Sequence, residues 1–117
     1  MTAEVAHRLF TLPIAETILW FDGPVCWTTA PTQFVDERFL ALFVDCDDEV
    51  DTYLFAALSE RHAMQLAANQ IGPRTAILAS AGPIYSVVIR TDGTPDVASL
   101  HEAADLPEAW LPGPAAV

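Results

Sequence analysis

Five carboxylates crowd the seven residues Asp45-Cys46-Asp47-Asp48-Glu49-Val50-Asp51, the densest chemistry in the chain. Oxygen ligands at alternating positions suit a hard cation such as Ca²⁺. However, the glycine that shapes an EF-hand loop is missing, and so is the glutamate at its twelfth position. The same charges suit a solvated turn, because burying a carboxylate without a partner is costly. They also suit a contact surface for a basic protein, where they would set association rate and salt sensitivity. Asp45, Asp47, Asp48, Glu49 and Asp51 are therefore read as a turn and candidate partner surface, with no metal assigned.

Other reactive side chains are scattered. His7, His62 and His101 each lack a sequence neighbour that would make a nucleophile–base pair, and Ser59 reads as a helix cap. Cys26 and Cys46 lack the close Cys/His spacing of a zinc site. Both are expected to be buried free thiols. None of the five glycines belongs to a phosphate-cradling loop. No catalytic residue, cofactor or metal is assigned, and the chain is expected not to be an enzyme. Trp20, Phe21 and Trp27 flank the turn Asp22-Gly23-Pro24. They read either as cross-strand core neighbours or as an exposed anchor patch, and they join the acidic stretch as candidate partner-binding residues.

Charge narrows the classes. Sixteen acidic residues oppose five basic ones, all arginines, for a net charge of −11. Without lysine there is no Schiff-base or P-loop lysine chemistry. Without a basic stripe, direct nucleic-acid binding is not expected. The 117 residues make one domain, 52% apolar and only 18% charged. That balance calls for a large core or for an apolar face covered by another chain. No apolar run approaches the ~20 residues of a membrane span, and the first residues lack a signal-peptide pattern. A cytoplasmic location is expected, and a homo-oligomer is compatible with the composition.

The elements that position these residues follow from period and punctuation. Glu37–Leu58 reads as a hairpin of two nearly continuous apolar strands, so both of its faces need cover. Ala15–Phe21 and Val25–Thr29 read as a preceding hairpin and Ile84–Arg90 as a later strand. A helix is expected over about 59–71, capped by Ser59 and stopped at Gly72-Pro73. Arg74–Ser80 is a short helix or an irregular segment, Val97–Leu106 is ambiguous, 1–13 is an arm or short helix, and 106–117 is an extended proline-rich tail. The fold class is α+β: an antiparallel meander of about five strands with one main helix packed on it.

The segments Glu16–Pro24 (ETILWFDGP), Phe39–Asp45 (FLALFVD), Tyr53–Glu60 and Leu106–Pro112 (LPEAWLP) resemble, in order and spacing, a family of small bacterial proteins known only as a domain of unknown function. The resemblance covers most of the chain after residue 14. It departs in the alanine-rich Arg61–Ser80, implies the α+β meander and brings no catalytic residues. The expected function is a non-catalytic acidic partner of a larger bacterial protein with a basic or apolar docking surface. An antitoxin, an immunity protein or an accessory subunit of a defence or toxin system would fit. The alternatives are a nucleic-acid-mimicking inhibitor of a DNA-binding protein, or a small-molecule binder or enzyme that uses carboxylates.

Overall fold

The computed structural model describes residues 3–20, 24–33, 35–47 and 49–112, with no account of the side chains of Trp20 and Pro24. Its centre is the predicted hairpin, β3 (Arg38–Cys46) and β4 (Val50–Leu58). The strands pair in register from Arg38 opposite Leu58 to Cys46 opposite Asp51, with one bulge at Val44. Around it run β1 (Ile14–Trp20), β2 (Pro24–Thr29), β5 (Ile84–Arg90) and β6 (Pro95–His101). All six strands form one antiparallel sheet in the order β1-β2-β3-β4-β5-β6. The fold is a single α+β domain.

Side chains alternate along each strand, so the sheet carries a core on either side. One core holds Trp27, Phe39, Ala41, Phe55, Val87 and Ala98, under Ala6 and Leu9 of α1 (Ala3–Phe10). Its aromatic rings meet edge to face, Trp27 on Phe55 at 6.2 Å and Phe39 on Phe55 at 6.4 Å. Each such contact adds about 0.5–1.5 kcal/mol beyond the burial itself. The other core holds Cys26, Leu40, Leu54, Ala56 and Ile84. It lies under Leu66 of α2 (Glu60–Ala67), Ala76 and Ile77 of α3 (Pro73–Leu78), and Leu106, Trp110 and Leu111 of the C-terminal segment.

Four differences from the sequence reading have local causes. First, α2 ends at Ala67 rather than near 71. Asn69 takes the left-handed conformation (φ 59°), Gln70 N–H donates to Gln65 O and Asn69 N–H to Leu66 O. This is a Schellman stop that asparagine supplies three residues before Gly72. Second, Gly72-Pro73 starts α3 instead, with Pro73 at its first turn. Third, the ambiguous Val97–Leu106 contributes a sixth strand that begins at Pro95. Proline is tolerated there because β6 is an edge strand and this is its first residue. Fourth, the tail is not simply extended: it follows a 3₁₀ turn at Ala103–Asp105 and makes another at Glu108–Trp110. Arg74 ties it down, through Glu108 at 2.8 Å and the Pro112 carbonyl at 3.1 Å.

The Ser59 cap is as expected, its hydroxyl accepting from His62 N–H at 3.1 Å. Of the two readings of residues 1–13, arm or short helix, the chain takes the helix. The central hairpin is buried along its Phe39–Ala41 and Leu54–Leu58 part rather than over its full length.

Two substitutions separate core from surface. Phe55→Ala should lose about 3–5 kcal/mol in urea unfolding, whereas Met64→Ala, at a side chain 68% exposed, should stay within about 0.5 kcal/mol. Gly82→Ala places a new Cβ 2.6 Å from Ala57 Cβ. It should cost about 1–3 kcal/mol.

Candidate functional site

Burial in the central hairpin falls off along its length. Phe39–Ala41 and Leu54–Leu58 are buried, Leu42–Val44 and Val50–Tyr53 are half-buried, and Asp45–Asp47 and Glu49 are exposed. The turn therefore projects from the sheet, as its composition requires. Asp47 N–H closes it on Val50 O at 2.8 Å, and Thr91 N–H holds Glu49 O at 3.1 Å. The β5–β6 turn lies beside it, because Val50 pairs with Arg90. Asp92 there accepts from Thr94 N–H at 2.8 Å, and the Thr94 side chain first, then this backbone bond, hold its carboxyl below the usual range. Asp45, Asp47, Glu49 and Asp51 thus share one end of the sheet with Asp92 and Asp96. Arg90 is the basic residue at this end, 3.5 Å from Asp96. The sequence did not group those last two acids with the loop, since strand pairing brings them there.

Among the other predicted partner residues, Trp27 is core. It is 6% exposed and packs on Tyr53 and Phe55, which removes it from any anchor patch. Asp48, Phe21 and the side chain of Trp20 lie outside the described residues, as does most of the Asp22-Gly23-Pro24 turn. Among the described residues no three His, Cys, Asp or Glu side chains group closely enough to hold a metal ion, and no helix is long and apolar enough to cross a membrane.

The two thiols differ, contrary to the expectation that both are buried. Cys26 sits in the core, and burial pushes its thiol up to about 12. Cys46 is exposed on the last residue of β3, because the strand outruns the layer above it. Its thiol is also raised, first by a hydrogen bond with Asp51 and then by the charges of Asp51, Asp45 and Asp47. The acidic end therefore keeps Cys46 protonated and a poor nucleophile.

Two further groupings were not legible in the sequence. Ser86 Oγ and His101 Nε2 share a hydrogen bond of 2.7 Å across β5 and β6, and the His101 ring meets Trp110 edge-on at 5.9 Å. The hint was a serine inside the apolar IYSVVIR. Ser86 is only 6% exposed, and the pair satisfies a hydroxyl that the strand buries. At the opposite end of the sheet from the acidic turn, a cleft of about 640 Å³ is lined by Asp36, Glu37, Arg38, Ser59, Glu60 and His62, among others.

In comparisons with protein-family models, curated proteins and solved structures, the chain matches none of them. The functional reading rests on its own geometry.

Iodoacetamide should label Cys46 and spare Cys26 in the native protein, as read by intact mass. Asp51→Asn removes the main cause of the raised Cys46 pKa. More thiolate is then present at any given pH, so labelling at pH 8 should speed up and its pH profile should move to lower pH.

Proposed function

We propose that this chain is a non-catalytic binding partner that presents its acidic sheet end to a basic surface of a larger bacterial protein. The observation that carries this reading is the gathering of six described carboxylates beside a single arginine, Arg90, at the open end of the sheet. Exposed charges of one sign focus a field that speeds encounter with an opposite surface and makes it salt-sensitive. An antitoxin, an immunity protein or an accessory subunit of a defence or toxin system has this kind of task. A cytoplasmic setting suits the two free thiols.

The cleft at the other end supports a second reading, a small-molecule binder, because it brings Asp36, Glu37, Glu60 and His62 around one hollow. Nucleic-acid mimicry gains less support, since the described carboxylates gather at the ends of the sheet rather than in phosphate-like rows.

The test is affinity capture from the native host, with wild-type chain against Asp45→Asn/Asp47→Asn/Glu49→Gln. Wild type should recover one basic protein in stoichiometric amount. Recovery should drop roughly tenfold with the variant and in about 0.5 M salt, where charges are screened within ~4–5 Å. Equal recovery by the two would sink the acidic-surface reading. Ligand-induced chemical shifts confined to His62 and Glu60 would favour the cleft.

A further inference from the structure

The face that carries α2 and α3 is covered only in part. Those helices and the C-terminal segment lie over Leu40, Leu54, Ala56 and Ile84. Two to four residues further along β3, β4 and β5, toward the acidic end, the same face is only half-buried, and among the described residues no helix lies over it. Thr52 pairs with Val88 and Val88 with Val97, so these three side chains form one row across β4, β5 and β6. Val44, at the β3 bulge, extends the row and, like Leu42, packs on the rim of the second core. Leu42 and Leu19 lie on the same face, through their pairings with Cys26. Leu19 is 57% exposed, and the other five are half-buried. Val88 and Val97 belong to neither core.

We infer that this half-covered strip receives an amphipathic helix with a basic flank, contributed by another protein. The inference rests on the partner reading above and supplies its docking mode. Three features select the occupant. The layer that already covers this face is helical, so a further helix completes it in the way α2 and α3 began it. The strip crosses from β3 to β6, about 14 Å at the usual strand spacing, which about ten residues of helix span at ~1.5 Å each. Its border is acidic: Asp45 lies opposite Thr52, Asp47 and Glu49 stand beyond it, and Asp96 adjoins Val97. A helix with an apolar stripe and flanking Lys or Arg complements both. A second copy of this chain would instead bring two acidic borders together, each chain carrying a net charge of −11.

The probe is a labelled synthetic Leu/Lys peptide with apolar residues at helical spacing. A control peptide of identical composition has its order scrambled to remove the amphipathic face. Binding is read by fluorescence anisotropy at low salt, and the site by amide shifts of the wild-type chain. The ordered peptide should bind at least tenfold tighter than the scrambled one and should shift Val44, Thr52, Val88 and Val97. Val88→Thr/Val97→Thr, checked for folding by thermal melting, should weaken it about tenfold. If both peptides bind equally and the Thr variant changes nothing, the docking strip is wrong while the acidic-partner reading stands. If neither peptide binds, the docking strip is wrong, and the acidic-partner reading is decided separately by the capture experiment above. The shift map on wild-type protein decides the matter even where the variant does not fold.

Discussion

The structure depends on a mismatch of length. β3 and β4 are nine residues each, about 30 Å of extended chain. Among the described residues the longest helices are eight residues, about 12 Å. An interior hairpin of a six-stranded sheet must bury both faces, and helices this short cannot reach from one end of it to the other. The burial gradient follows. Near Arg38 and Leu58 the strands are sandwiched between α1 on one side and α2, α3 and the tail on the other. Toward Cys46 and Val50 the same strands run out from under their cover. What the chain does at each end differs accordingly, with packing at one and charge at the other.

Much of this was written plainly in the sequence. Continuous apolar runs on both sides of an acidic turn give the central hairpin, because no other arrangement buries the runs and hydrates the carboxylates. Ser59 marks a helix start through its own hydroxyl, a local interaction that sequence pattern captures well. Harder to read were features decided by alternatives of similar energy or by distant partners. Asn69 and Gly72 both qualify as a stop, and the hydrogen bonds of Gln70 and Asn69 settle it in favour of the first. Pro95 reads as a turn until β6 is known to be an edge. Cys46 reads as buried until the strand is seen to outrun its helices. Ser86 and His101 meet only because β5 and β6 pair.

The site was legible in part for the same reason. Asp45, Asp47, Glu49 and Asp51 cluster through local sequence, and their exposure follows from solvation. The addition of Asp92 and Asp96 comes from the register of β4, β5 and β6, which no window of sequence contains. Trp27 was a fair candidate for a surface anchor on residue type alone. Its position between Tyr53 and Phe55 is set by strand pairing, and it serves the core.

Charge does little to hold this fold together. Among the described residues, Arg8 pairs with Glu4, Arg74 with Glu108 and Arg90 with Asp96. At least one partner in each pair is largely solvated, so screening leaves little net stabilisation. The excess negative charge works against folding through self-repulsion, and its densest part sits where the hydrophobic layer is thinnest. A hairpin needs only two turn residues to close, yet this one carries a run of carboxylates beside an apolar strip over which, among the described residues, no helix lies. Folding alone accounts for neither feature, and each compounds the cost of the other. A basic amphipathic surface would relieve both at once, neutralising the border while burying the strip. That shared remedy is the physical argument for looking at this end of the sheet first.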